Sequence, residues 1–332
     1  MTQPLLEVRG LNVRYRTPHG LLTALQAVDL VVQQGETVAL IGESGCGKTS
    51  LGKTLVGLNH ADCGQILYQG VDLAPLSRRQ WKPYRGGIQM VFQDSLSALD
   101  PRQRVVNAID LPLRLHSRLD AAGRLARRSE LFTQVGLDET LAQRFPHQLS
   151  GGQRQRLNIA RALATGPQLI VCDEPVSALD VSLQAQIIDL LQDLQRRLGI
   201  AYLFISHDLA VVEQIATRIA VMYLGRIVEI LPKSKLWTHA AHPYTRLLLD
   251  AIPRPMPGMR RAAVAASALA DAEPPSPYAR PTGCSFANRC PHAAPTCRDQ
   301  DPALSSLSGD HAVACHFPVV WQKQSPSIRG LI

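Results

Sequence analysis

The chain has 332 residues, 45% of them hydrophobic, and a formal net charge of +8. That length admits one large domain with appendages, or two domains, and the apolar fraction is enough for a full core. No apolar run reaches the roughly 18 residues that a bilayer-spanning helix needs, the first residues lack the charged-then-apolar pattern of a secretory leader, and the basic surplus, without an aromatic-rich basic patch, reads as a solvated surface and leaves nucleic acid out of the expected partners.

Residues 5–41 read as β-rich. Leu11, Val13 and Tyr15 alternate with Asn12 and Arg14, the pattern of a half-buried strand. A second strand is expected over 29–33. A third, over 37–41, runs into Gly42-Glu43-Ser44-Gly45-Cys46-Gly47-Lys48-Thr49. This octet fits G-x-x-x-x-G-K-S/T, and a helix over 50–58 follows it, beginning at Ser50. Strand, glycine-rich loop and helix in that order form a phosphate-binding loop. The glycines let backbone N–H groups approach phosphate oxygens, and the helix N-terminus adds its partial positive charge. Residues 64–73 read as a hairpin turning at Gly70, and 88–92 as a buried strand ending at Gln93.

From 94 to about 148 strand signals vanish and helical spacing takes over, with an arginine-rich helix expected over 118–135. This block reads as a helical insertion into an α/β core. Leu149-Ser150-Gly151-Gly152-Gln153 then opens a helix over 154–165, which Gly166-Pro167 terminates. A strand over 169–172 ends in Asp173-Glu174, a helix covers 181–198, and a strand over 202–205 ends in Ser206-His207-Asp208. Helix and strand in alternation predict a mostly parallel sheet wrapped by helices. Seven prolines flank an Ala-rich stretch over 253–281, read as a linker or extended arm. Cys46, Cys63 and Cys172 are scattered and read as free thiols, whereas Cys284, Cys290, Cys297 and Cys315 cluster beyond the linker and point to metal rather than disulfides.

The strand ends define a site. Lys48 is expected to bridge the β- and γ-phosphates and the Thr49 hydroxyl to hold Mg²⁺. Asp173 would hold the metal directly or through water, and Glu174 would act as general base on the attacking water. The Gln93 amide can hold metal and water, and His207 can donate a hydrogen bond to the γ-phosphate. Ser150, Gly151, Gly152 and Gln153 make a second anion site from a helix N-terminus. One triphosphate does not need two such sites, so the second is expected to complete a partner's pocket in a head-to-tail dimer.

The order of these motifs, together with Ser177-Ala178-Leu179-Asp180, resembles the ATPase subunit of an ABC transporter over roughly residues 5–250. The resemblance implies a P-loop ATPase core with an antiparallel β subdomain and a helical insertion. It implies that Tyr15 stacks on adenine, that Gln93 sits at the membrane-domain contact, that Ser150, Gly151 and Gly152 meet the partner's γ-phosphate, and that Asp180 lies in the loop crossing the dimer. A soluble ABC ATPase of DNA repair or translation is the alternative of another class; a single cassette without sustained heptads counts against it. Towards the C-terminus, His242-Pro243-Tyr244-Thr245, Gly283-Cys284 and Arg289-Cys290-Pro291 resemble the tail of dipeptide/oligopeptide importer ATPases of the DppF/OppF type, a branch shared with nickel and opine importers. That resemblance implies a second, paralogous ATPase in a heterodimer, two transmembrane permease subunits, an extracytoplasmic solute-binding protein and a peripheral position on the cytoplasmic face of the membrane. It divides the chain into a cassette (1–250, helical part about 94–160), a linker (251–282) and a Cys-containing tail (283–320).

The clustered cysteines are separated by five, six and seventeen residues, without the tight C-x₂-C pair of a zinc ribbon. The family resemblance implies a 4Fe–4S cluster, and four thiolates suit that chemistry. Zinc and free or disulfide-linked thiols remain as alternatives.

Overall fold

A computed structural model describes residues 3–251, 278 and 281–319. Most of the proline-rich stretch expected as a linker lies outside the described residues.

Two sheets share one core. The smaller, antiparallel sheet has the order β2-β1-β4-β5, from β1 (Leu6–Thr17), β2 (Gly20–Val32), β4 (Cys63–Tyr68) and β5 (Val71–Asp72). The larger sheet contains β3 (Thr37–Ile41), β6 (Ile88–Val91), β7 (Leu169–Asp173), β8 (Ala201–Ile205), β9 (Arg218–Tyr223), β10 (Arg226–Pro232), β11 (Ser305–Ser308) and β12 (His311–Val313), in the order β11-β12-β10-β9-β3-β8-β7-β6. From β9 to β6 the neighbours are parallel. Their sequences, Thr-Val-Ala-Leu-Ile in β3 and Ala-Tyr-Leu-Phe-Ile in β8, are buried at every position. Continuous apolar runs of this kind belong in a sheet covered on both faces. The β1–β2 ribbon packs against the main sheet through Leu6, Val8, Leu11, Leu25 and Val28, which share one cluster with Val38, Leu40 and Leu203. The expected α/β core with an antiparallel β subdomain is what the chain forms.

Among the described residues the α-helices are α1 (Lys48–Leu55), α2 (Val105–His116), α3 (Ala121–Gln134), α4 (Gly151–Leu163), α5 (Val181–Leu198), α6 (Leu209–Ile215), α7 (Leu236–His239), α8 (Pro243–Asp250) and, in the tail, α9 (Pro295–Asp299). Helices α2, α3 and α4 bury Ile109, Leu113, Leu131, Phe132, Leu157 and Leu163 in a core continuous with β7 and α5. Local chemistry sets their ends. Asp120 caps α3 by accepting from the Gly123 N–H at 2.8 Å, so that helix starts later than its apolar spacing. Ser150 and Gln153 exchange bonds in a capping box, which starts α4 at Gly151 despite two glycines. Asp180 caps α5, and Gly199, at φ 66°, closes it with a left-handed residue.

The tail does not stand apart. Strand β12 pairs with β10 through Glu229↔Val313 and Ile230↔Ala312, and β11 forms the sheet edge. Glu229, fully buried, accepts from the Ala241 and His242 N–H groups at 2.6 and 3.1 Å, and its Oε1 lies 2.7 Å from His311 Nε2. One carboxylate therefore pins β10, the approach to α8 and the tail strand together, and each of its bonds compensates its desolvation.

Candidate nucleotide site

The loop between β3 and α1 depends on three glycines. Gly42, Gly45 and Gly47 have φ of 155°, 76° and 110°. A Cβ at Gly42 would lie 2.1 Å from the Met222 carbonyl oxygen, and one at Gly47 would lie 2.6 Å from that of Ala24. The loop is thus pressed against the strands behind it. Gly225, in the tight turn Leu224-Gly225 between β9 and β10, donates to the Cys46 carbonyl at 2.6 Å, and Gln26 of β2 donates to the Gly225 carbonyl at 2.9 Å. Lys48 is buried, and its Nζ donates to the Gly42 and Glu43 carbonyls at 2.8 and 2.9 Å. An ammonium has three donors; two hold the loop carbonyls, and the third faces the Cys46 sulfur at 3.8 Å, a weak contact that an anion can replace.

The two acids stand at the end of β7, which β8 separates from β3 in the sheet. Thr49 Oγ1 donates to Asp173 Oδ1 at 3.1 Å. Burial raises the Asp173 carboxyl above the usual range and the Glu174 charge adds to this, while the Thr49 bond, Lys53 and Lys48 oppose it. Glu174 sits at φ +45°, a left-handed conformation unusual for a non-glycine, with its N–H bonded to the Ile205 carbonyl at 3.0 Å. Its side chain is gripped on both sides: Gln93 Nε2 donates to Oε2 at 2.8 Å, and His207 Nδ1 lies 3.1 Å from Oε1. Gln93, Glu174 and His207 come from β6, β7 and β8, three neighbouring strands that end at the same edge of the sheet. Ligands bind at such edges in open α/β sheets.

A cleft of about 610 Å³ is lined by Tyr15, Leu22, Thr23, Ala24, Ser44, Gly45, Gly47, Lys48, Thr49, Ser50, Gln93, Glu174, His207 and Leu224. Its size and its mixture of apolar wall and convergent polar groups suit a small ligand. At the far end the Tyr15 hydroxyl accepts from Asn59 Nδ2 at 2.8 Å, which fixes the ring beside Leu22 and Ala24. The cleft thus gathers most residues that the sequence assigned to nucleotide. Gly42, Glu43 and Cys46 form the back of the loop instead, and Cys46 is buried, which raises its thiol pKa. The Glu43 N–H donates away from the cleft, to the Tyr244 hydroxyl at 2.9 Å, so Glu43 meets the site through its carbonyl. Asp173 reaches the cleft through Thr49. Leu22, Ala24 and Leu224 were not anticipated; they lie on a hairpin and a turn whose sequences carry no ligand signal.

Ser150, Gly151, Gly152 and Gln153 do not line this cleft. Ser150 is exposed at the start of α4, with its hydroxyl accepting from the Gln153 N–H at 3.2 Å. Gly151 and Gly152 leave room for Leu179 and Leu183, which would lie 3.4 and 3.3 Å from added Cβ atoms. Asp180 accepts from Ser182 Oγ and from the Leu183 N–H, and the latter bond leads in lowering its carboxyl pKa.

All seven cysteines are free. Among the described residues no group of three or more His, Cys, Asp or Glu side chains is arranged to hold a metal ion. Cys284, Cys290, Cys297 and Cys315 nevertheless line one small cavity, together with His242, His292, His316, Phe286 and Phe317. Burial raises the thiol pKa of Cys284 and Cys290, and that of Cys315 to about 11. Burial also pushes His242 down to about 4.

Fold and site together define an ATP-binding cassette. Residues 25–177 match the ABC transporter family, and residues 228–297 match the C-terminal region of oligopeptide/dipeptide transporters. A Brucella abortus protein described as a peptide import ATP-binding protein is 47% identical over 93% of this chain and 92% of its own length. The oligopeptide transport ATP-binding protein AppF of Bacillus subtilis is 42% identical, over 95% and 98%. Among solved structures, a dimeric post-hydrolysis ATP-binding cassette bound to ADP and Pi aligns with a TM-score of 0.63 at 27% identity, covering 69% of this chain and 98% of that one. CbiO1 of Clostridium perfringens, part of an ABC transporter complex, aligns with the same score and identity over 71% and 91%. The chain belongs to the ABC transporter ATP-binding family, in the branch that carries the oligopeptide/dipeptide transporter C-terminal region. It is an ATPase.

Proposed function

We propose that this ATPase drives import of di- or oligopeptides through a membrane transporter. The observation that carries the reading is the joining of a nucleotide cleft with an acid-base cluster to the oligopeptide/dipeptide-type C-terminal region in one fold. Nickel or opine import by the same branch is the second reading, since the solute contacts the other subunits. The proposed assembly has a paralogous second ATPase, two permease subunits and an extracytoplasmic binding protein, with this chain on the cytoplasmic face. No helix among the described residues is long and apolar enough to cross a membrane, so the reading places transport in the permease subunits. A groove of about 470 Å³ between the core and helical parts supports a permease contact: Met90, Phe92, Val105, Leu111, Pro112 and Leu115 give it an apolar lining. The division into cassette, linker and tail follows this scheme.

In the catalytic cycle, Lys48 and the loop N–H groups take the phosphates, and Tyr15 takes the adenine. Thr49, Asp173 and Gln93 are the groups placed to hold Mg²⁺, which neutralises charge on the phosphates when bound. Glu174 accepts a proton from the attacking water, held for that role by Gln93 and His207. The exposed start of α4 supplies Ser150, Gly151 and Gly152 to the partner's γ-phosphate, and the partner does the same in return. Co-purification from membranes, followed by ATPase assays with candidate peptides, tests the reading. Turnover stimulated by peptide-loaded binding protein is expected; stimulation by nickel or an opine alone would reassign the solute.

For the tail, we propose that Cys284, Cys290, Cys297 and Cys315 hold a 4Fe–4S cluster. Their meeting at one cavity supports it, and four sulfur donors fit iron–sulfur chemistry. Protein purified without oxygen should contain about four irons per chain and absorb in the visible, both lost in Cys297→Ser. A colourless, iron-free, folded tail would end the proposal.

A further inference from the structure

The tail reaches into the phosphate-binding loop from 246 residues away. Arg289 Nη1 and Nη2 donate to the two carboxylate oxygens of Glu43 at 2.9 and 3.0 Å, a bidentate pair in which the arginine is 4% and the glutamate 29% exposed. The guanidinium lies 5.8 Å from the Tyr223 ring centre and 5.9 Å from that of Phe286. Tyr223, Tyr244 and Phe286 pack on one another with centroids 4.5–5.5 Å apart. This aromatic box draws on β9, α8 and the tail, and it fixes the arginine. Tyr244 takes the Glu43 N–H in the same place.

Glu43 is therefore held at its side chain and at its N–H by residues beyond position 240, and its carbonyl is one of the two that hold Lys48 Nζ, at 2.9 Å, beside that of Gly42 at 2.8 Å. We infer that Arg289 is a positioning residue of the ATP site: by clamping Glu43 it sets the peptide that aims Lys48 at the triphosphate. The inference rests on the ATP reading of the loop. It follows that the tail completes the nucleotide site of its own subunit. Arg289 is also adjacent in sequence to Cys290, which lines the four-thiol cavity.

Equilibrium binding of fluorescent ATP to the full chain, well below its unfolding temperature, tests this. Arg289→Met should weaken binding about tenfold through misplacement of Lys48, and Arg289→Lys, which keeps the charge but loses the fork, should recover part of that. Glu43→Gln, which keeps the shape, should weaken binding comparably, and the double variant should be no worse than either single one. In a Lys48→Ala background the Arg289 substitution should have no further effect. Wild-type affinity in folded Arg289→Met, or additive losses in the double variant, would overturn the clamp, even if the melting temperature falls. Lys48→Ala alone reports on the loop: undiminished binding there would leave the clamp nothing to aim and would also overturn it, whereas failure of the wild-type chain to bind ATP at all would count against the ATP reading instead.

Discussion

Glu174→Gln should lower ATP turnover about 10²- to 10⁴-fold while leaving ATP binding intact. The substitution keeps the size of the side chain and the backbone that Ile205 holds, but it replaces the carboxylate with an amide too weakly basic to take a proton from water. Gln93 and His207 grip the two carboxylate oxygens at 2.8 and 3.1 Å, so the acid is oriented before substrate arrives. A strained backbone at φ +45° places it there, at the end of β7. Steady-state hydrolysis and equilibrium binding of the same preparation separate the two effects. Turnover equal to wild type would remove Glu174 from the general-base role.

Lys48→Ala should act on the other quantity. Its ammonium is buried and held by two loop carbonyls, so truncation removes the cation beside the phosphates and leaves the Gly42 and Glu43 oxygens without their donor. Losing a buried charged partner costs about 2–4 kcal/mol, or roughly 30- to 1,000-fold in ATP affinity. Titration calorimetry with ATP would measure it. Affinity within threefold of wild type would mean that the loop N–H groups carry the phosphates alone.

Local chemistry made much of this site readable from sequence. Gly42 and Gly47 sit where positive φ and backbone contact exclude other residues, Gly45 has the positive φ alone, and the spacing of Lys48 and Thr49 follows from the helix start. The buried strands β3, β7 and β8 announce themselves as apolar runs ending in Gly42, Asp173-Glu174 and Ser206-His207. Caps moved several boundaries: α4 begins three residues before its apolar period because the Ser150–Gln153 box fixes it. Long-range pairing was not readable. Strand β11, Ser-Ser-Leu-Ser, is exposed throughout and has no apolar alternation, so nothing in it announced the edge of the main sheet. Helix α2, with Pro112 inside it, was not delimited within the expected helical block. Glu43 read as part of the phosphate-binding loop and Arg289 as part of the tail motif, and nothing in the sequence paired them until the fold brought them together. The tail shares the core of the cassette, burying Phe286 against Tyr223 and Tyr244.

The account turns on a division of labour between subunits, because Ser150 stands exposed at a helix start outside its own chain's cleft. The most direct test places a bulky charge there, with Ser150→Arg in the complex recovered from membranes, assayed for ATP binding and for turnover per site. The account predicts that binding by this chain persists, while turnover falls at least about a hundredfold through the lost closure on the partner's γ-phosphate. Undiminished turnover in that variant, or full activity from an isolated single chain, would contradict it.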